Sequence, residues 1–195
     1  MDITSRPIPD SYWVLPGRFL AGEYPGRHDT EATHQRVSAL LQAGLDTFID
    51  LTHPDELPPY LPILNELSKL HGLETAHQRF AILDRGLPSR EEMIAALDAI
   101  DAALDNGHKV YLHCWGGVGR TGTTVGCYLV RHGKTGPQAL DQIAKWWWGV
   151  PKNQFYPRSP ETDEQAQFIL DWHEPSPLLR DPIPKLDEGS NNELA

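Results

Sequence analysis

Cysteine is scarce in this chain of 195 residues: Cys114 and Cys127 are the only two, so neither a disulfide framework nor a CxxC zinc or redox motif can be built. If a thiol matters here, it matters singly. Long apolar runs are missing too, none approaching the roughly 20 residues that a membrane-spanning helix requires. The first residues, MDITSRPIPDSYWVL, hold no basic segment followed by an apolar one, so no secretory signal is read and the cytoplasm is the expected compartment. Bases are outnumbered, 17 against 27 acids, for a formal net charge of −10. That balance argues against a nucleic acid or an anionic membrane as the main partner. What is present, 39% hydrophobic and 23% charged residues, is the profile of a globular domain. A chain of this size can bury about 70% of its surface, so one core suffices without a metal or disulfide.

Residues 1–27 read as irregular, rich in proline and aromatics. From Asp29 to Ala43, apolar Val37, Leu40 and Leu41 recur at helical spacing, with Asp29 or Thr30 as the cap and Gly44 as the stop. Asp46–Leu51 reads as a short buried strand, Pro58–Leu70 as a helix ended by Gly72, and Leu73–Leu83 as a second strand with a polar centre. Ser89 and Glu92 form a capping box ahead of Met93, Leu97, Ile100 and Leu104, with Asp98, Asp101 and Asp105 as a solvated stripe on the opposite face. Lys109–His113 is a strand running straight into Cys114, and Val125, Tyr128, Leu129 and His132 mark the helix after it. Thr135 with Gln138 caps another helix whose inner face is Leu140, Ile143, Ala144 and Trp147, and Ser159 with Pro160 opens a last helix through Trp172. Strands alternating with helices imply one α/β domain, a small and mostly parallel sheet flanked by helices, with ligands beyond the carboxyl ends of the strands.

The segment His113–Gly122, HCWGGVGRTG, lies between a strand and a helix. Gly116, Gly117 and Gly119 free the backbone to fold into a tight cup, with the main-chain N–H groups of Trp115, Gly116, Gly117, Val118, Gly119 and Arg120 available to a tetrahedral anion at the helix start. Cys114 opens the cup and Arg120 closes it, so a guanidinium can fork onto two phosphate oxygens while sulfur faces phosphorus from below. Amides, helix dipole and guanidinium together favour the ionised sulfur. Thr121 can donate its hydroxyl proton to that sulfur when it leaves. A leaving oxygen also needs a proton. Asp84, which follows a strand end as Cys114 does and sits in ILDRGLPS, is the preferred acid, with Asp50 and Asp55 as rivals after the other strand.

These ten residues resemble the signature of the cysteine-dependent protein phosphatases, the tyrosine and dual-specificity family, written H-C-x5-R-[ST]-G. The looser resemblance runs from Phe19 to about Trp172. It implies a two-step phosphomonoester hydrolysis through a cysteinyl phosphate without metal or other cofactor. It also implies an aspartate on a mobile loop about thirty residues before the cysteine, the spacing that Asp84 has. SPETDEQ is similar to the Q-T-x-x-Q stretch that positions water in some tyrosine phosphatases, with Glu161 in place of the first glutamine and Gln165 keeping the second. The expected division is a phosphatase domain over 1–173, its core about 19–173, and a proline-containing, partly disordered tail over 174–195. A monomer acting on a phosphorylated protein or small phosphomonoester is expected. Two other readings are a weak or inactive phosphoprotein-binding module and an inositol-phosphate or phosphoinositide phosphatase, the latter disfavoured because the cup holds no lysine.

Plainer readings cover other residues. Gly117, Gly119 and Gly122 spell G-x-G-x-x-G, but the acid that a dinucleotide site needs about 20 residues on falls inside a helix, at Asp141. Cys127 reads as core, and His113, alternating away from Cys114, as a structural hydrogen-bonding residue. Trp147 reads as core, with Trp146 and Trp148 covering the domain or forming a surface patch. Arg85, Arg90, Lys152 and Arg158 read as surface bases, with Arg85 able to attract an anion if it flanks the mouth.

Overall fold

The computed structural model describes residues 5–174. Five strands form one sheet in the order β1-β2-β5-β3-β4: β1 (Ser11–Leu15), β2 (Phe19–Glu23), β3 (Thr47–Asp50), β4 (Ala76–Arg79) and β5 (Val110–Cys114). β1 is antiparallel to β2, and the remaining pairs are parallel. Among the described residues, six α-helices flank them: α1 (Thr30–Gln42), α2 (Leu61–Leu70), α3 (Arg90–Asp105), α4 (Gly119–Arg131), α5 (Gly136–Trp148) and α6 (Asp163–Leu170). This is the α/β sandwich that the sequence pattern implies.

The central strand shows why the layers form. Every residue of β5 is buried, and the twofold alternation of a strand sends Val110, Leu112 and Cys114 to one face and Tyr111 and His113 to the other. On the first face they pack with Phe19, Ala21 and Ile49 against the apolar sides of α3, α4, α5 and α6. On the second, Leu20, Phe48 and Tyr111 pack against Val37, Leu40 and Leu41 of α1 and Leu64 and Leu67 of α2. Side-chain capping boxes start α3, α5 and α6, each contributing about 1 kcal/mol to its helix.

Several expectations need correction. Residues 1–27 are not irregular throughout: SYWVL and FLAGE form the β1–β2 hairpin, around a turn in which Gly17 takes φ 69° and the Arg18 N–H donates to the Leu15 carbonyl. The last helix is not capped by Ser159. Thr162 caps it, and Gln165 reaches back as the third residue of the capping box. Ala139, not Ala144, completes the inner face of α5. The aspartate stripe of α3 is not simply solvated, because Asp98 and Asp101 pair with Arg131 at 2.8 and 2.9 Å, and Asp101 also meets His132. Glu174, assigned to the tail, accepts from Arg131 Nε and Nη2 at 2.6 and 2.7 Å. The rest of that expected tail, 175–195, lies outside the described residues. Among the described residues, no helix is long and apolar enough to cross a membrane.

Candidate active site

The carboxyl end of β5 and the loop after β4 converge on a cavity of about 340 Å³. Its walls are Asp84 and Arg85, Cys114 to Gly116, Val118 to Arg120, Lys152, Tyr156 and Glu161. Cys114 is 3% exposed and follows directly from β5, in register with Glu23 of β2. The backbone then turns sharply: Gly117 takes φ 74°, and a Cβ there would fall 2.6 Å from the Gly22 carbonyl carbon. Only glycine serves at that point, on both counts. The N–H of Tyr24 donates to the Trp115 carbonyl at 2.9 Å, tying the outer part of the turn to β2.

α4 begins at Gly119 without a side-chain cap. The first N–H groups of any helix lack intrahelical acceptors, so this uncapped start leaves donors and the positive dipole end at the cavity that Gly119 and Arg120 line. An oxyanion suits that place.

Arg120 is 2% exposed but is not an idle cation. Its Nη2 donates to Glu56 Oε1 at 2.6 Å and to Asp84 Oδ1 at 3.0 Å, and its Nη1 donates to Glu56 Oε2 at 2.8 Å and to the Ile82 carbonyl at 3.0 Å. Burial raises the Glu56 pKa, but the Arg120 hydrogen bond, the His53 N–H and the guanidinium charge outweigh it and hold the carboxyl below its usual range. The bidentate pair fixes the plane of the guanidinium before any ligand arrives.

Asp84 stands half-exposed in the loop after β4, next to Arg85, whose φ is 59°. Ile82 anchors that loop by donating its N–H to the Leu51 carbonyl at 3.1 Å. The two rivals lie elsewhere. Asp55 is exposed away from the cavity lining, and Asp50 is sealed in the core, accepting from Arg79 Nη2 at 2.8 Å and from the Thr52 N–H and hydroxyl at 2.8 and 2.7 Å.

Glu161 lines the cavity and faces Arg85 at 3.6 Å, so Arg85 does flank the mouth. Gln165 is fully buried, accepting from the N–H groups of Glu161 and Thr162 and donating to the Gly86 carbonyl at 3.2 Å. Its amide thus joins the α6 start to the Asp84 loop. The Thr121 hydroxyl contacts the Gly22 carbonyl at 3.5 Å, the bond in which it is engaged. Trp115, 57% exposed, lines the mouth together with Tyr156.

His113 turns away from Cys114, as alternation requires. Its Nε2 lies 2.8 Å from the Tyr60 hydroxyl, and burial pushes its pKa down to about 4. Cys127 is buried in the core, and burial pushes its thiol well up. Trp147 is core as well, Trp146 stacks on Tyr12, and Trp148 is exposed.

Besides Tyr156, which lines the cavity, two site residues escape the sequence reading. Glu56 lies one position beyond the rival Asp55, in the loop after β3, and its place at the carboxyl edge of the sheet was its only signal. Lys152, read as a surface base, lines the cavity and donates to Glu23 Oε2 at 2.6 Å and to the Gly116 carbonyl at 3.1 Å.

Comparison with known proteins places these features in context. A family model described as "PTP-SAK: Swiss Army Knife protein, DSP-PTPase phosphatase domain" matches residues 9–169. The protein 067L of Invertebrate iridescent virus 3, a tyrosine phosphatase by assignment, is 34% identical over 121 residues, covering 60% of this chain and 44% of its own. The chain thus spans less than half the length of that relative. Among solved structures, kinase associated phosphatase with its catalytic-site cysteine replaced by serine superposes with TM-score 0.62 at 19% identity, covering 77% of this chain and 83% of the other. TpbA of P. aeruginosa in complex with pTyr gives TM-score 0.56 at 16% identity, covering 86% and 94%. At these identities the likeness is one of fold.

Proposed function

Because the chain belongs to the PTP-SAK family of DSP-PTPase phosphatase domains, we propose that it hydrolyses phosphomonoesters through a cysteinyl phosphate on Cys114. The observation that carries this reading is the convergence of Cys114, Arg120 and Asp84 on one cavity at an uncapped helix start. The substrate phosphoryl group sits in the cup, its oxygens held by main-chain N–H groups of 115–120 and by Arg120. Cys114 sulfur attacks phosphorus as the ester oxygen departs. The S–P bond forms, the P–O bond breaks, and Asp84 gives its proton to the leaving oxygen. Asp84 then takes a proton from water, which attacks phosphorus and returns the sulfur. A dianionic phosphate competes with Asp84 for Arg120 Nη2, so substrate binding releases the carboxyl toward the leaving group.

The substrate we propose is a phosphorylated protein, phosphotyrosine included, or a small monophosphoester. Trp115 and Tyr156 offer aromatic walls to an aryl group. Arg85 and Lys152 are each matched by an acid, Glu161 and Glu23, so the mouth has no surplus of positive charge for a second phosphate. Glu161 and Gln165 reach the Asp84 loop through Arg85 and the Gly86 carbonyl, which supports a role in holding that loop, and the buried Thr121 hydroxyl is kept as the donor to the departing sulfur. The domain extends through Glu174.

The test is hydrolysis of 4-nitrophenyl phosphate in the presence of a chelator. Turnover is expected, and Cys114→Ser is expected to remove it by about 10⁴-fold or more while leaving phosphate binding intact. Activity that survives in Cys114→Ser overturns the mechanism. Phosphopeptide binding by the native chain with no phosphate release would show a binding module instead.

A further inference from the structure

We infer that Lys152 is a positioning residue that orients the phosphate-binding turn from outside the signature, through a relay from Glu23 to Lys152 to the Gly116 carbonyl. This inference rests on the phosphatase reading of the same cavity and concerns what aims its amides.

Glu23 ends β2, is 5% exposed, and faces three bases. Arg36 and Lys152 each approach one of its oxygens at 2.6 Å, and Arg27 pairs with it as well. Burial raises its pKa, and the Lys152 hydrogen bond with the charges of Arg36, Lys152 and Arg27 more than reverses that, so the carboxylate is firmly ionised. Lys152 stands on a short 3-10 turn, Pro151–Gln154, far from the signature in sequence. Its backbone N–H donates to Asp10 Oδ1 at 3.0 Å, which seats the turn on the residue before β1. Its ammonium is therefore placed from two directions, by its own backbone and by a buried carboxylate, before it touches the cup.

What it touches is a carbonyl. In a planar trans peptide the C=O of one residue and the N–H of the next point in opposite directions. Holding the Gly116 oxygen toward Lys152, at 3.1 Å, therefore sets the opposite direction for the Gly117 N–H. Gly117 needs that help because glycine at φ 74° has few steric restraints of its own. Without the ammonium the 116–117 peptide is free to flip, presenting an oxygen to an incoming phosphate.

A rival explanation is that Lys152, which lines the cavity, attracts the anion directly. Glu23 separates the two, because it does not line the cavity. If Lys152 acts as a free charge, removing the Glu23 charge strengthens anion binding. If it acts through the relay, the same change loosens the turn and weakens binding.

The experiment measures inorganic phosphate binding by calorimetry and 4-nitrophenyl phosphate kinetics for the native chain, Lys152→Met, Lys152→Arg and Glu23→Gln, with thermal midpoints alongside. We expect Lys152→Met to raise the phosphate Kd and lower kcat/KM, each about tenfold or more, in line with the loss of one preorganised donor. Glu23→Gln is expected to shift both in the same direction, and Lys152→Arg to restore most of the loss. Tighter phosphate binding in Glu23→Gln overturns the relay. So does a phosphate Kd within about twofold of native in Lys152→Met, even if that variant melts earlier. If Glu23→Gln does not fold, the salt dependence of phosphate binding decides: a loss in Lys152→Met that persists at about 1 M salt supports the relay, and a loss that disappears there overturns it in favour of direct attraction. A native chain that neither binds phosphate nor hydrolyses the ester overturns the phosphatase reading and this inference together, whereas a native chain that does both, with unaffected variants, overturns only the relay.

Discussion

Cys114 and His113 are neighbours at the end of β5, yet their side chains enter opposite faces of the sheet and meet clusters of similar composition. On the His113 side, Asp50 accepts from Arg79, Thr52 and His77, and Tyr60 meets the imidazole. On the Cys114 side, Arg120 donates to Glu56 and Asp84. Each cluster holds a guanidinium, carboxylate oxygens within 3.0 Å of it, and a titratable residue of β5. The difference lies in access and in unused capacity. In the first, Asp50 and His113 are fully buried beneath an exposed Arg79. The second opens on a cavity where a helix starts without a cap. Charge pairing alone marks stability as readily as chemistry. An uncapped helix start that opens on a cavity is what distinguishes the reactive side, because α2 also starts without a side-chain cap on the His113 side, but at Tyr60, which is 1% exposed.

The sharpest way to break that comparison is to change the guanidinium in each cluster. Arg120→Lys keeps the charge but loses the planar fork that grips Glu56 and phosphate at once, so kcat/KM for an aryl phosphate should fall about 10³-fold. Arg79→Lys, on the His113 side, should leave kcat/KM within about twofold and cost about 1 kcal/mol of stability, read by chemical denaturation. Equal losses of activity in the two variants would erase the distinction.

Next in size is the proton donor. Asp84→Asn should lower kcat about 10²-fold and flatten one limb of the pH–rate profile, with the larger loss on a phosphoester whose alcohol is a poor leaving group. A pH–rate profile unchanged in that variant would move the acid elsewhere.

The smallest effect on catalysis should come from the His113 side, where protons act on folding. Burial holds the His113 pKa at about 4 against an ordinary 6.5. Between those values the unfolded chain binds a proton that the folded chain refuses, so stability is full above pH 6.5 and declines as pH falls toward 4, by about 3 kcal/mol at most. Asp50, held below its usual range despite burial by His77, His113 and Thr52, adds a loss at still lower pH. Denaturant titrations at pH 7 and pH 4.5 should show the decline, reduced in His113→Gln. An identical decline in that variant would assign it to other groups.

Much of this was legible in the chain itself. The signature lay where strand patterning turns into helix patterning, because one short segment must supply glycine for the turn, a thiol and a guanidinium. Helix starts with local chemistry, Asp29, Ser89 and Thr135, were readable for the same reason. Thr162 was missed because Ser159–Pro160 mimics a start three residues early. The β1–β2 hairpin was hidden because its five-residue strands lie among prolines and, being almost wholly buried, do not alternate apolar with polar residues. Glu56 and Lys152 were illegible for a deeper reason: they reach the site from loops 64 and 32 positions away from Arg120, and nothing local in LTHPDELPPY or PKNQ marks a residue as a partner. Long-range placement is a property of the packed sheet, not of any segment.

Ile82 serves two bonds at once, its N–H to Leu51 and its carbonyl to Arg120. The loop bearing Asp84 and the Arg120 side chain proposed to grip phosphate are thereby geared to a single residue. Any excursion that lifts Ile82 from Leu51 also strips a hydrogen bond from the guanidinium. In the mechanism proposed above, product escape and the resetting of Asp84 are coupled through Ile82, and a stiffer hinge at 81–86 should slow both.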